Sequence, residues 1–71
     1  MVKNMKMNME KVTDMAVEYL KRAGYYWVKI DKVIPDKKTH TWRVIADVGI
    51  TSSSYKTITI DDDNEKITGY E

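Results

Sequence analysis

The sequence predicts an α+β domain in which one N-terminal amphipathic helix packs on a three- to four-stranded antiparallel meander sheet. Apolar residues recur at helical spacing over residues 8–23, and the period changes to two after Gly24. Short turn segments then separate the apolar runs, which favours antiparallel pairing of consecutive strands. The expected order is α-β-β-β, and whether residues 66–70 add a fourth strand is left open.

The helix is predicted over residues 8–23 because its apolar residues fall on one stripe. They are Met9, Val12, Met15, Ala16, Tyr19, Leu20 and Ala23. Asn8 suits the N-cap position, and Gly24 suits the left-handed position after the helix. Residues 1–7 interleave Met with Lys and Asn. We expect them to form a flexible segment ahead of a single domain that spans residues 8–71.

Alternating side chains predict strands over residues 25–34, 39–50 and 55–61. The segment Pro35-Asp36-Lys37-Lys38 has turn chemistry. The predicted core combines the helix stripe with the inward residues of the strands. Its members are Val12, Ala16, Tyr19, Leu20, Val28, Ile30, Trp42, Val44, Ala46, Val48, Ile58 and Ile60.

Composition limits the kinds of site that the chain can build. It has 71 residues and no cysteine, which excludes disulfides and thiolate metal sites, and its net charge of +1 does not by itself indicate a nucleic-acid or membrane partner. The N-terminal residues contain no continuous apolar run, so no signal peptide or membrane span is predicted and a cytoplasmic location is expected. Abundant charge without Gln or Cys is typical of a thermophile.

The chemically suggestive segments are better explained as ordinary structure. The run Asp61-Asp62-Asp63-Asn64-Glu65 has alternating carboxylates, but its sixth residue is Lys66, where a calcium loop needs Gly, so we expect a solvated hairpin turn. His40 is expected to be exposed at a strand end, and Ser52-Ser53-Ser54 to be a linker. The sequence therefore predicts a protein that is not an enzyme and has no metal or cofactor.

One helix covers only one face of a sheet, so the other face is expected to be open. The residues that strict alternation turns inward are Tyr26, Val28, Ile30 and Ile34. The opposite positions are Tyr25, Trp27, Lys29, Thr41, Arg43, Ile45, Tyr55, Thr57 and Thr59. Of these, the predicted partner-binding residues are Tyr25, Trp27, Lys29, Arg43, Ile45 and Tyr55. A register slip near residues 32–33 would turn Trp27 inward and remove this patch.

Three uses of the open face remain: protein binding, including homodimerisation, a plain solvated surface, and binding of single-stranded nucleic acid. Interfaces are enriched in Tyr, Trp and Arg, and dimerisation would stabilise a small core. Aromatic rings beside cations also suit unpaired bases and their phosphates. The sequence favours a small protein-interaction module, with nucleic-acid binding as the alternative.

Two family resemblances involve the strand segments. ITIDDDNEKITGY, residues 58–70, resembles the closing hairpin of PepSY-type domains. Together with GYYWVKIDKVIP and TWRVIADV, it is similar to the gas vesicle accessory protein O pattern of strands ending in a GY step. These resemblances imply a non-enzymatic assembly or inhibitory role. The chain as a whole is similar to small proteins of hyperthermophilic archaea.

Overall fold

The computed structural model describes residues 5–71, which form one helix and four strands. The elements are α1 (Met9–Arg22), β1 (Lys29–Asp36), β2 (Thr41–Asp47), β3 (Tyr55–Asp61) and β4 (Lys66–Tyr70). The strands form one antiparallel sheet in the order β1-β2-β3-β4. The predicted α+β meander is confirmed, and residues 66–70 do form the fourth strand.

Local signals set both ends of α1. The Asn8 side chain accepts a hydrogen bond from the Lys11 backbone N–H at 2.8 Å, which satisfies one of the free donors of the first turn. At the other end Gly24 has φ +108°, a conformation that other residues rarely adopt. Arg22 pairs with Glu18 one turn earlier at 2.7 Å. The helix therefore lies within one residue of its predicted bounds at each end.

The core lies between α1 and one face of the sheet. Val12, Ala16 and Leu20 of the helix are fully buried, and they are covered by inward residues of the two central strands. Those residues are Trp42, Val44, Ala46, Ile58 and Ile60. Every residue of the predicted core is either buried there or packed against it, with Tyr19, Val28 and Ile30 partly buried.

A bulge in β1 reverses its alternation. Ile30 and Lys32 pair with consecutive residues of β2, so Asp31 is an extra residue in the register. Beyond the bulge, Val33 packs against the core, and Ile34 lies on the opposite face with 42% of its surface exposed. The predicted inward position of Ile34 is therefore wrong, because strict alternation does not allow for an inserted residue. The predicted inward position of Tyr26 is also wrong, because Tyr26 precedes β1 and is 93% exposed.

The N-terminal segment packs against the domain ahead of the helix. Met7 is only 4% exposed and belongs to the core, and Met5 is partly buried against it. The sequence predicts a domain that starts at residue 8, whereas the packed part of the chain includes residues 5–7. The backbone N–H groups of Lys6 and Met7 donate to a buried acceptor, which is described below. Residues 1–4 lie outside the described part of the chain.

Candidate functional site

The sheet face turned away from α1, called the open face below, consists of four rows of residues that the strand register sets side by side. The first row is Lys29, Asp47 and Tyr55. The second is Lys32, Ile45, Thr57 and Glu71, the third is Ile34, Arg43, Thr59 and Gly69, and the fourth is Asp36, Thr41, Asp61 and Lys66. Glu71 extends β4 because it exchanges backbone hydrogen bonds with Thr57 at 2.9 and 3.4 Å.

The open face is electrically balanced. It carries four basic and four acidic side chains, the basic ones being Lys29, Lys32, Arg43 and Lys66 and the acidic ones Asp36, Asp47, Asp61 and Glu71. In the second row, Lys32 on β1 lies at one edge of the sheet and Glu71, which follows β4, lies at the other. In the fourth row the order of charges is reversed, with Asp36 on β1 and Lys66 on β4. The β1 edge therefore changes from basic to acidic along the sheet, and the β4 edge changes from acidic to basic.

Three larger side chains give the open face its apolar surface. Ile34 is 42% exposed on β1 and Tyr55 is 55% exposed on β3. Ile45 lies between them on β2 and is half-buried by its neighbours. Exposed apolar side chains that share one face are a common feature of surfaces that bind partners.

Four of the six predicted partner-binding residues lie together on the open face: Lys29, Arg43, Ile45 and Tyr55. The three threonines of the prediction, Thr41, Thr57 and Thr59, are there too. Trp27 precedes β1 in the connection from the helix, where it is 44% exposed and outside the strand register. The aromatic part of the predicted patch is therefore reduced to Tyr55 within the strands.

Tyr25, the sixth predicted residue, lies on the helix side of the sheet. Its hydroxyl is 2.9 Å from that of Tyr70, and its ring packs against the core. The ring of Tyr70 in turn meets Tyr19 of α1 at a centroid distance of 5.4 Å. The hydrogen bond with Tyr25, followed by desolvation, raises the pKa of the Tyr70 hydroxyl. These tyrosines close the helix-side core at the β4 edge.

Sequence reasoning missed several residues of the open face, among them Lys32 and Ile34. A signal for the bulge is present in the sequence. Ile30 and Val33 are three residues apart, and the two residues between them are both charged. That spacing does not fit a period of two, and it indicates an inserted residue.

Asp47 in the first row organises the loop between β2 and β3. Its Oδ1 accepts backbone hydrogen bonds from Gly49 and Ser54, each at 3.0 Å. The bonds from Ser54 and Gly49 are the main causes that lower the pKa of this carboxyl. Asp47 is therefore ionised at neutral pH, and its charge is partly engaged by its own loop.

A buried carboxylate lies at the end of the sheet where the hairpin turns are. Asp62 in the β3–β4 turn is fully buried. Its Oδ1 accepts hydrogen bonds from the Met7 backbone N–H at 2.8 Å and the Trp42 indole N–H at 2.9 Å. Its Oδ2 accepts one from the Lys6 backbone N–H at 2.6 Å. This arrangement, called the Asp62 anchor below, joins the N-terminal segment, β2 and the last turn.

The Asp62 anchor corrects one expectation. Residues 61–66 do form a hairpin turn, but the acidic run is not wholly solvated, because three N–H donors replace water around Asp62.

The β1–β2 turn, which contains His40, lies at the same end of the sheet as Asp62. His40 has φ 53°, and its carbonyl accepts the Asp62 backbone N–H at 2.8 Å. Its ring, half-buried, places Nδ1 3.3 Å from both carboxylate oxygens of Asp63.

The ionisation of Asp62 is coupled to folding. Desolvation raises the pKa of its carboxyl, but the hydrogen bonds from Lys6, Trp42 and Met7 together outweigh it, so the net pKa lies below the ordinary value. An unfolded Asp has a pKa of about 3.9. The stabilisation from these bonds is therefore fully present above that pH, and it is lost as the pH falls through the lower pKa of the folded state.

Acid titration provides a test of this coupling. We expect the free energy of unfolding, measured by urea denaturation, to fall steeply below about pH 4. In Asp62→Asn the fall should be shallower, because the group that takes up a proton is gone. Part of the slope should persist, since Asp47 also has a lowered pKa. Identical pH slopes in the two proteins would contradict the assignment.

Comparisons with protein-family models, curated proteins and solved structures gave no match. Across residues 5–71, no helix is both long and apolar enough to cross a membrane. In the same part of the chain, no three His, Cys, Asp or Glu side chains are grouped as metal ligands would be.

Proposed function

We propose that the protein is a small cytoplasmic, non-enzymatic interaction module that associates with a second copy of itself through the open face. The observation that carries the proposal is the combination of exposed Ile34 and Tyr55 with a charge balance of four against four. A balanced set of charges suits a surface that must meet an identical one, because neither copy then repels the other as a whole.

The size of the open face indicates a weak dimer. Standard strand geometry gives the sheet a width of about 19 Å across four strands and a length of about 23 Å along seven residues. Two such faces have a combined area of about 900 Å², which is below that of stable specific interfaces and in the range of weak, transient ones. We therefore expect a dissociation constant of roughly micromolar size, which corresponds to about −8 kcal/mol.

Binding of single-stranded nucleic acid has less support. Lys29, Lys32 and Arg43 lie near one another on β1 and β2 and could contact phosphates. Four carboxylates on the same face oppose a polyanion, however, and Tyr25 points its hydroxyl to Tyr70 on the helix side. A platform for base stacking would then depend on Trp27 and Tyr55 alone.

Light scattering after size-exclusion chromatography tests the proposal. We expect a dimeric mass for the wild-type chain at about 100 μM and dissociation towards about 1 μM. Ile34→Asp should weaken the dimer at least about tenfold, because it places a charge in the interface. Ile50→Asp is the matched control, since Ile50 is 76% exposed in the β2–β3 loop, outside the strands.

Two outcomes would contradict self-association through this face. One is a monomeric wild-type mass at about 500 μM, well above the expected dissociation constant. The other is equal weakening by Ile34→Asp and Ile50→Asp. Tryptophan quenching by a single-stranded oligonucleotide at low salt, lost at high salt, would instead favour the nucleic-acid hypothesis.

A further inference from the structure

We infer that two copies of the chain pair face to face about a two-fold axis that runs along the strands, between β2 and β3. The inference rests on the proposed self-association and specifies the geometry of its interface. It follows from the way in which charges and side-chain sizes are distributed within the rows of the open face.

Such an axis preserves each row and reverses the order of its members. β1 of one copy lies over the partner's β4, and β2 lies over the partner's β3. Each residue therefore meets the residue at the mirrored position of its own row. A small tilt of the axis, about 15°, gives the crossing angle of about 30° that is usual between twisted packed sheets.

The second and fourth rows become complementary in charge. Lys32 on β1 lies over the partner's Glu71, and Asp36 on β1 lies over the partner's Lys66. Symmetry repeats both pairs on the other side, so each edge of the interface carries two opposite-charge pairs. All of these side chains are exposed in the single chain and lie at the edges of the sheet, where interfaces usually have a polar rim.

The third row becomes complementary in size. Ile34, the exposed apolar residue of β1, lies over the partner's Gly69, which has no side chain. Gly69 is also closely packed in its own sheet, because a Cβ built there would lie 3.2 Å from the Thr59 Cβ. In this row the β4 edge therefore has no side chain at the position where the β1 edge has a protruding one. Near the centre, Ile45 lies over the partner's Thr57.

The competing two-fold axis, perpendicular to the strands, matches the open face less well. It stacks β1 on the partner's β1 and exchanges the first row with the fourth. Lys29 then lies over the partner's Asp36, but Lys32 meets Ile34 and Glu71 meets Gly69. Only one kind of opposite-charge pair forms, and neither Lys32 nor Glu71 meets an oppositely charged residue of the partner. The axis along the strands therefore gives the open face more pairs of complementary residues.

Charge reversal tests the axis by sedimentation equilibrium or light scattering. Lys32→Glu and Glu71→Lys should each weaken the homodimer at least about tenfold, because each places like charges together twice. The double variant should recover most of the wild-type affinity. An equimolar mixture of the two single variants should also dimerise well, since each chain supplies the charge that the other has lost.

Lys21→Glu is the matched control, because it makes the same change of charge on the exposed outer surface of α1. It should leave the dissociation constant within about twofold of wild type. If the wild-type chain dimerises but neither the double variant nor the mixture recovers affinity, the axis is refuted while self-association stands. Recovery by Lys29→Glu with Asp36→Lys would refute it in favour of the perpendicular axis. A monomeric wild-type chain would refute both proposals.

Discussion

Asp62→Asn is expected to lower the free energy of unfolding by about 2–3 kcal/mol, although the side chain hardly changes in volume. The carboxylate accepts three hydrogen bonds from N–H groups and has no contact with water. An amide keeps one acceptor oxygen and turns an NH₂ group towards a donor. At least one buried N–H then loses its partner, and the remaining bonds lose the strength that the negative charge provides.

Thermal and urea unfolding measure this effect. For a domain of this size, the loss corresponds to a fall in Tm of roughly 10–20 °C. Asp63→Asn is the matched control, because it makes the same chemical change at the next residue, which is exposed. The control should cost less than about 1 kcal/mol. Equal losses from the two substitutions would show that the Asp62 anchor contributes no more than its exposed neighbour.

Removal of residues 5–7 should lower the free energy of unfolding by about 3 kcal/mol. The comparison is between a chain that begins at Met5 and one that begins at Asn8, so that only these residues differ. The shorter chain loses the buried side chain of Met7, which is worth about 1.5–3 kcal/mol, and two backbone donors to Asp62. Water can reach the exposed carboxylate and offset part of the loss of those bonds.

A double-mutant cycle separates burial of Met7 from its hydrogen bond. If the segment and Asp62 act together, Asp62→Asn should cost at least about 1 kcal/mol less in the chain that begins at Asn8. Additive losses would contradict the anchor. Met7→Ala and Met9→Ala provide a matched pair for burial, since Met9 is 57% exposed and should be almost neutral.

The helix and the strand order could be predicted because their signals are local. Asn8, Gly24 and the apolar stripe between them each favour the same helix, and the short turns leave few ways to pair the strands. Alternation alone places Trp42 in the core, and it is 6% exposed. Physical preferences within about ten residues therefore account for most of the architecture.

The Asp62 anchor could not be predicted in the same way. An aspartate among four other polar residues has the local composition of an exposed turn, and its partners Lys6 and Met7 are 56 and 55 residues away. Nothing near Asp62 in the sequence indicates them. The composition of the open face depends on a weaker local signal. The insertion of Asp31, indicated only by the spacing of Ile30 and Val33, exchanges Ile34 for Val33 in the core and so changes which side chains the open face presents.

The contact between residue 6 and residue 62 also bears on how the chain acquires its structure. Lys6 and Met7 are synthesised 56 and 55 residues before Asp62, the acceptor for their backbone N–H groups. Nascent chains that end before residue 62 contain α1, β1 and β2 but lack the acceptor for the N–H groups of Lys6 and Met7. We therefore expect the Asp62 anchor to form only after synthesis has passed the last turn, and the closure of so long a loop carries an entropic cost.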